Sequence, residues 1–464
     1  MPKHVDGLGA DCTKQKYRKR YQYRNFVAIF FGYAGYYLLR ENFALAVPHL
    51  LDSGFTKTQL GLAFSGIPIA YGVSRLLMGF ISDRTNPRYF LTLGMVVSAI
   101  VNFIFGFFLL SGGQVGAVVI LAFALFNGLA QGMGAAPCYR VVSYWFPSNQ
   151  HGRVMSAWSI SPNIGSTLLG LIVAYALPKF TSFSWQAIFY LPAIIVILIA
   201  IVTVLVMTDL SQKNTSANCN KKTREIPFKK TLKIIFSSRQ LQLLALLSIF
   251  VYFIRYGILD WAPTYLHEVK GMSVTFGGKA FALYEAAGIA GTLLCGYISD
   301  KWFKSNRTLF VSICLSFVLL GNVGYWFCSG TFAIKVFLSV IGMFVYGLIT
   351  LLGIQVLQTA PKKVVGAVVG MMGITSYWGG TFIASSGLGW LTDRFGWYSA
   401  ALAILAATVL AIITSLSMFE ASRKAAAKKS KAKLKFNQSG LVEIENNKET
   451  ILKPNAVVLE GGEV

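Results

Sequence analysis

The sequence contains Gly79-Phe-Ile-Ser-Asp-Arg84, and this hexapeptide recurs with two changes as Gly296-Tyr-Ile-Ser-Asp-Lys301. The two copies begin 217 positions apart, and a second pair of landmarks, Arg40 and Arg255, is 215 positions apart. Two independent landmarks with nearly the same spacing predict an internal repeat of two halves in the same orientation. In each copy the glycine permits close approach of helices, and the aspartate is a candidate to pair with a neighbouring bundle and latch a gate.

The composition places these repeats in a membrane. Only 13% of the 464 residues are charged, 55% are hydrophobic and the mean hydropathy is +0.58. Soluble globular domains carry about 25% charged residues. The chain has too little charge to cover a water-facing surface of this size, so lipid must cover most of it.

Apolar runs long enough to cross a bilayer recur along the whole chain. A spanning helix needs roughly 20 apolar residues, and about twelve such runs lie near residues 26–47, 60–82, 90–110, 115–138, 153–176, 185–208, 240–266, 277–299, 308–328, 332–357, 364–390 and 395–419. We therefore predict an all-α membrane protein with twelve transmembrane helices. Its predicted parts are an N-terminal segment (1–25), a six-helix bundle (26–208), a linker (209–239), a second six-helix bundle (240–419) and a disordered basic tail (420–464).

Basic residues are distributed unequally between the two predicted sides of the membrane. Of the 42 Lys and Arg residues, 33 lie in segments on the side of the N-terminus and 6 on the opposite side. Cytoplasmic segments carry such an excess, so both termini are predicted to be cytoplasmic. The net charge of +24 then reflects topology and attraction to the lipid bilayer, and it gives no reason to expect binding of nucleic acid.

Three arginines remain inside apolar runs: Arg40, Arg75 and Arg255. A charge at the centre of a membrane helix costs about 2.5–3.5 kcal/mol on insertion scales, and such residues mark functional sites. Helical spacing puts tyrosines on the faces of two of these arginines: Tyr33, Tyr36 and Tyr37 with Arg40, and Tyr252 and Tyr256 with Arg255.

The two arginines predict an anion site between the halves. Facing guanidinium groups repel each other unless an anion lies between them, and their planar donors match phosphate or carboxylate. An alternative is that buried carboxylates, from Glu41, Asp260 or Glu285, neutralise each arginine for stability. Parallel halves with a site between them are typical of the major facilitator architecture.

Several segments resemble one known family. They include Phe30-Phe-Gly-Tyr-Ala-Gly-Tyr-Tyr-Leu-Leu-Arg40, Asn86-Pro-Arg88, Arg255-Tyr-Gly-Ile-Leu-Asp-Trp261, Leu283-Tyr-Glu285 and Ala360-Pro-Lys-Lys363. From about residue 20 to 420 the chain resembles the organophosphate:phosphate antiporters of the major facilitator superfamily. The resemblance implies an inner-membrane carrier that imports an organic phosphate, such as glycerol-3-phosphate or a hexose phosphate, in exchange for inorganic phosphate. The sequence contains no catalytic triad or metal-ligand cluster, so we expect a transporter that acts as a monomer, is not an enzyme and uses no cofactor or metal.

The resemblance also implies a set of site residues. Arg40 and Arg255 match the family's phosphate-binding pair, and Arg75 matches a basic position that is usually lysine. The predicted substrate-binding set is Arg40, Arg255, Tyr33, Tyr37, Arg75, Tyr252, Glu285, Asn163 and Tyr377. The predicted gating set, from the repeated hexapeptide, is Asp83, Arg84, Asp300 and Lys301.

Two positions depart from the family pattern. Glu41 replaces the lysine that usually follows the first arginine, and Pro162 replaces a histidine that usually precedes the asparagine corresponding to Asn163. Glu41 is therefore a candidate coupling residue. Two other functions stay open: a proton-coupled symporter of an organic anion, which titrates Glu41 or Glu285, and a sensor that binds an organophosphate without moving it.

Overall fold

The computed structural model describes residues 6–110, 116–147, 150–179, 184–208, 237–303, 306–360 and 365–439, and within these ranges it contains helices and no strands. The ten helices of the first half are α1 (Asp6–Leu38), α2 (Asn42–Asp52), α3 (Lys57–Arg84), α4 (Pro87–Leu110), α5 (Ala117–Gln131), α6 (Ala135–Trp145), α7 (His151–Trp158), α8 (Ser161–Leu171), α9 (Leu177–Lys179) and α10 (Ala187–Val206). A π-helical turn, Ile172–Ala176, joins α8 to α9.

The second half follows the same plan. Its described helices are α11 (Arg239–Glu268), α12 (Val274–Trp302), α13 (Arg307–Phe327), α14 (Thr331–Thr359), α15 (Val365–Ile374), α16 (Leu388–Phe395) and α17 (Trp397–Ser439). Two π-helical segments, Thr375–Thr381 and Ile383–Gly387, connect α15 to α16.

A helical segment lies at each of the twelve predicted spans. By length and apolar composition, nine described helical segments are long enough to cross a membrane, and ten if the bent helix α3 counts as one span. The other two predicted spans are interrupted. Residues 26–47 are broken by the turn between α1 and α2, and residues 364–390 by the two π-helical segments.

Two ends of the bundle are defined by their contacts. At the proximal end, where α3 ends and α4 begins, Arg140 donates to the Thr85 carbonyl at 2.8 Å. At the distal end, where α11 ends, Lys270 donates to the Cys328 carbonyl at 3.0 Å. Since the first transmembrane pass runs from the proximal to the distal end, the predicted orientation makes the proximal end cytoplasmic.

The two halves meet along equivalent helices. Helices α3 and α12 each end in one copy of the repeated hexapeptide, and each packs against the opposite half. Helix α3 contacts α16 and the π-helical segment Ile383–Gly387, while α12 contacts α8. Helix α2 packs against α11 between these pairs. The internal repeat therefore corresponds to a pseudo-symmetric interface.

Apolar side chains cover the outward surface, as expected for a protein in lipid. Phe80, Ile104 and Leu205 are 74%, 62% and 68% exposed. A side chain of this kind gains about 1.5–3 kcal/mol when it leaves water. Such a surface is stable in a bilayer and unfavourable in water.

The last apolar span, Trp397–Ala421, agrees with the predicted span 395–419. The prediction that the tail is disordered from residue 420 was wrong in its first part, because α17 continues to Ser439. Residues 420–439 are rich in Ala and Lys, which are strong helix formers, so the helix extends past the apolar run. Residues 209–236 of the predicted linker, 361–364 and 440–464 of the predicted tail lie outside the described residues.

Helices α12 and α14 approach closely at a glycine. A Cβ atom at Gly291 would collide with the Met343 backbone carbonyl, whereas a Cβ at Gly296 on the same helix meets nothing within 4 Å. We predict that Gly291→Ala lowers the apparent melting temperature of the detergent-purified protein, because overpacking costs about 1–3 kcal/mol. Gly296→Ala is the matched control. Equal melting temperatures for the two variants would contradict the packing described for α12 and α14.

Candidate functional site

Arg40 lies at the interface between the halves, in the turn that separates α1 from α2. Only 4% of the residue is exposed. Its guanidinium carbon lies 5.3 Å from the ring centre of Tyr37, 4.4 Å from that of Tyr71 and 5.4 Å from that of Tyr377. Because Tyr377 belongs to the second half, aromatic faces from both halves hold this charge.

The position of Arg40 differs in one respect from the predicted helical face. Helix α1 ends at Leu38, so Arg40 extends from a turn and does not continue the face of Tyr33 and Tyr37. Tyr36, also on the predicted face, donates to the Leu91 carbonyl at 2.9 Å. Its hydroxyl therefore points into the first half and away from the interface.

Arg255 lies on α11 and is 5% exposed. Its Nη2 donates to the Tyr346 hydroxyl at 2.9 Å, and that hydroxyl donates to Glu285 Oε1 at 2.5 Å. Asn163 Nδ2 donates to Glu285 Oε2 at 2.9 Å. Asn163 belongs to the first half and the other three residues to the second, so this chain of hydrogen bonds crosses the interface.

A layer of tyrosine rings joins the two arginines. The Tyr377 ring lies 4.9 Å from Tyr71, 5.4 Å from Tyr252 and 6.5 Å from Tyr256. The Arg255 guanidinium carbon lies 4.7 Å from the Tyr256 ring centre. The structure thus brings Arg40 and Arg255 into one aromatic layer between the halves.

Direct neutralisation of both arginines by carboxylates is not observed. Glu41 Oε1 lies 3.8 Å from Arg40 Nε, which is an ion pair without a hydrogen bond. Arg255 reaches Glu285 only through the Tyr346 hydroxyl, and among the described residues no carboxylate oxygen lies within 4.0 Å of an Arg255 nitrogen. Asp260 accepts from Ser385 at 2.5 Å. The site keeps unused capacity to bind an anion.

Two cavities lie near the aromatic layer. The central cavity has a water-accessible volume of about 30 Å³ and is lined by Arg40, Glu41, Phe43, Ala44, Phe64, Ile67, Pro68, Tyr256, Asp260, Thr381 and Ser385. The proximal cavity, of about 240 Å³, is lined by Arg75, Tyr139, Gly373 and Tyr377, among others. Arg75 therefore lines a separate chamber on the proximal side of Tyr377.

The remaining predicted aromatic residue lies against the first half. The Tyr33 ring centre is 4.5 Å from that of Trp158 and 5.7 Å from that of Tyr37. Tyr33 thereby connects the layer to α7, next to the position where Pro162 departs from the family pattern. Tyr346 and Tyr71 are the site residues that sequence reasoning missed. Tyr346 is a tyrosine within an apolar run without an arginine at helical spacing, whereas Tyr71 lies four residues before Arg75 on α3, a spacing that could have marked it.

The predicted gating residues lie at the proximal end. Asp83 Oδ1 is 3.9 Å from Arg140 Nε, Asp300 pairs with Arg307, and Lys301 donates to the Tyr297 hydroxyl at 3.3 Å. Arg84 is exposed.

These partners all come from the residue's own half. Among the described residues no ion pair or hydrogen bond links the repeated hexapeptides to the opposite half, and the proximal cavity lies between the halves on this side of Tyr377.

A polar latch joins the halves at the distal end instead. Asp393 of α16 accepts hydrogen bonds from Thr58 N and Thr58 Oγ1, both at 2.6 Å, and from Lys57 N at 3.2 Å. Lys57 Nζ also lies 3.1 Å from Glu268 Oε2. Asp393 thus accepts from the first backbone N–H groups of α3, which favour a negative charge. The described conformation is closed at the distal end.

Sequence reasoning did not identify this distal latch. The one available signal was that Lys57 is among the 6 basic residues on the predicted outer side.

Comparison with known proteins identifies the family. The sequence profile of the Major Facilitator Superfamily matches residues 29–385. The chain belongs to the major facilitator superfamily. It is therefore a multi-pass inner-membrane transporter and not an enzyme, which confirms the predicted all-α major facilitator fold and the predicted localisation. The cytoplasmic position of both termini stays a prediction.

Relatives within the superfamily cover most of the chain. The glycerol-3-phosphate transporter of Bacillus subtilis (strain 168) is 38% identical and aligns over 88% of this chain and 95% of its own. The phosphoglycerate transporter protein of Salmonella typhimurium is 31% identical over 85% and 88%. The fold matches a bacterial homolog of the human lysosomal transporter Spinster in an inward-facing, unoccupied conformation, with a TM-score of 0.72, 14% identity and coverage of 87% and 97%.

The hydroxyl of Tyr346 bridges Arg255 and Glu285, which leads to a stability prediction. Tyr346→Phe leaves both charged partners without this hydrogen bond, so we expect the free energy of unfolding to fall by about 1–3 kcal/mol. Thermal unfolding in detergent checks this. Tyr325→Phe is the matched control, since the buried Tyr325 hydroxyl has no hydrogen-bond partner among the described residues. An equal loss in both variants would show that the bridge contributes nothing.

The distal latch leads to a conformational prediction. Asp393→Ala removes the acceptor of the hydrogen bonds from the α3 backbone. Loss of a helix cap costs about 0.5–2 kcal/mol, so we expect a larger population of molecules in which the distal end is open. Spin labels at the exposed residues Ser53 and Tyr398 report this as a longer distance component. Asp52→Ala, at another exposed carboxylate of the same end, is the control. An unchanged distance distribution for Asp393→Ala would rule the latch out.

Proposed function

We propose that this transporter exchanges an organic phosphate, glycerol-3-phosphate or a hexose phosphate, for inorganic phosphate by alternating access. One observation carries the proposal: Arg40 and Arg255 come from equivalent positions of the two halves and are buried in one layer between them. The relatives named for organic phosphates support the same substrate class.

The chemistry of the layer suits a phosphate group. Guanidinium groups bind phosphate oxygens through paired, charge-assisted hydrogen bonds and keep their charge when buried. The Tyr256 hydroxyl is buried without a hydrogen-bond partner among the described residues, and it lies beside both arginines. It is therefore available as a further donor to an anion.

The arrangement supports obligatory exchange. Without a ligand, two buried positive charges oppose closure of the halves, whereas a phosphate dianion compensates both charges and permits closure. Asn163 and Glu285 bond across the interface when the halves are close. An empty carrier lacks the compensating anion and does not return, so inward and outward movements are coupled.

The other predicted residues have roles in this cycle. Tyr33, Tyr37, Tyr252 and Tyr377 shape the aromatic layer around the phosphate. Arg75 attracts anions into the proximal cavity, which faces the cytoplasm in the predicted orientation. Asp83, Arg84, Asp300 and Lys301 act at the proximal end when it closes and the distal latch opens.

Uptake into proteoliposomes tests the proposal. Labelled inorganic phosphate is supplied outside vesicles preloaded with phosphate, glycerol-3-phosphate, glucose-6-phosphate or 3-phosphoglycerate, and we expect uptake only with a preload. Arg40→Lys and Arg255→Lys should lower exchange roughly 10- to 100-fold, because lysine loses the paired hydrogen bonds of about 1.5–3 kcal/mol. Arg153→Lys, at an exposed arginine, is the matched control.

The alternatives give different results in the same assay. Near-normal exchange in either lysine variant refutes the paired-arginine site. Uptake that needs no preload and collapses with an uncoupler indicates a proton symporter. Binding of an organophosphate without any uptake indicates a sensor.

A further inference from the structure

The central cavity holds two carboxylates beside Arg40 and Tyr256 of the aromatic layer. Glu41 and Asp260 both line it, and they come from different halves. Arg40 is the single basic residue in its lining, while the other lining side chains are apolar or carry hydroxyl groups. If ionised, two carboxylates therefore face one guanidinium in a small, mostly apolar space.

Several polar groups of this cavity lack hydrogen-bond partners among the described residues. They are Glu41 Oε1, Tyr256 OH and Thr381 Oγ1. Each belongs to a residue at least nine-tenths buried, with exposures of 4%, 3% and 1%. Leaving a buried polar group unsatisfied costs about 1–3 kcal/mol. Three such groups around one cavity indicate a ligand that supplies hydrogen bonds or coordination.

The charges select the kind of ligand. Once Arg40 binds phosphate, the two carboxylates of this cavity have no other positive charge in its lining. Ser385 donates one hydrogen bond to Asp260, which stabilises the carboxylate without removing its charge. An anionic or neutral occupant leaves the two like charges uncompensated, whereas a cation compensates them.

The volume limits the size of the occupant. A water molecule needs about 10–15 Å³ of such volume, and the cavity offers about 30 Å³. This is room for one or two groups the size of water and excludes a sugar ring. A primary ammonium or a small metal ion fits.

We propose that the Glu41–Asp260 cavity is a cation subsite, filled by a small monovalent cation that binds together with the phosphate group. This inference rests on the proposed function and adds to it a positive charge that binds next to the phosphate group. The cation is either the ammonium of a phosphorylated amine or free Na⁺. Both are held by the two carboxylates, the Thr381 hydroxyl and the oxygen lone pairs of the Tyr256 hydroxyl, whose proton remains available to donate to the phosphate.

The test compares cation sources in the exchange assay. Phosphate-loaded proteoliposomes take up labelled phosphate, with phosphoethanolamine or glycerol-3-phosphate as competitor, in Na⁺ or N-methylglucamine medium. If the cation is the ammonium group of the solute, phosphoethanolamine should inhibit uptake at a roughly tenfold lower concentration than glycerol-3-phosphate. A tenfold difference in affinity corresponds to about one hydrogen bond to a charged group. If the cation is free, Na⁺ lowers the half-saturating concentration of phosphate by a similar factor.

Isosteric variants assign the effect to the cavity. Glu41→Gln and Asp260→Asn keep the shape and remove one charge each, and either should abolish the amine preference or the Na⁺ effect. Glu420→Gln, at an exposed residue of α17, should leave it unchanged. Thermal unfolding in detergent shows whether a variant is folded, and if one variant does not fold, the other decides.

The proposed function and the proposed cation subsite can be refuted independently. Wild-type phosphate exchange with neither an amine preference nor a Na⁺ effect overturns the cation subsite and leaves the proposed function standing. An effect that persists in both variants also overturns it. If the wild-type protein shows no phosphate exchange, the proposed function is overturned, and thermal stabilisation of the purified protein then tests the subsite. Stabilisation by Na⁺ or phosphoethanolamine that is lost in Glu41→Gln supports the subsite. If neither compound stabilises the protein, the subsite is overturned as well.

Discussion

Two guanidinium charges are buried between the halves, and the surrounding structure compensates them only in part. Burial of an ion costs several kcal/mol after relaxation. Tyrosine faces surround Arg40, and the Tyr346 hydroxyl satisfies part of Arg255. Arg40 also forms an ion pair with Glu41 at 3.8 Å, without a hydrogen bond. Cation–π contacts, a hydrogen bond to a neutral hydroxyl and an ion pair of this length are each weaker than a hydrogen-bonded ion pair. The interface is therefore stabilised further when an anion enters, and this dependence makes it responsive to a solute.

Beside apolar and aromatic packing such as Phe64 against Trp261, a small number of hydrogen bonds join the halves among the described residues. Asn163 and Glu285 join them in the centre, and Asp393 holds the start of α3 at the distal end. Polar links of this kind are each worth a few kcal/mol at most. Their strength is comparable to the binding energy of a single phosphate group, so a ligand is able to shift the equilibrium between the closed and open arrangements.

The fold and the two buried arginines could be predicted from the sequence, whereas the contacts between the two halves could not. A repeated hexapeptide and two arginines at one spacing predicted paired halves and a shared site. The partner role of Tyr346 was not predictable, because a lone tyrosine in an apolar run has no periodic neighbour to mark it. Asp393 and Thr58 are separated by 335 residues, and their contact depends on how the halves dock. The prediction that Arg40 shares a helical face with Tyr33 and Tyr37 was wrong, because α1 ends at Leu38.

The position beside Arg40 bears on selectivity under the proposed function. In that proposal the arginines bind the phosphate group that all candidate substrates share, so they carry little information about the organic part. Glu41 replaces the family's usual lysine and changes the local charge by two units while leaving Arg40 in its aromatic surroundings. Asp260 lies across the same cavity, so the change creates a pair of carboxylates where a lysine would form an ion pair. Under the two proposals, retention of the phosphate group and alteration of the charge that accompanies it are separable, because different residues of one small cavity would control each.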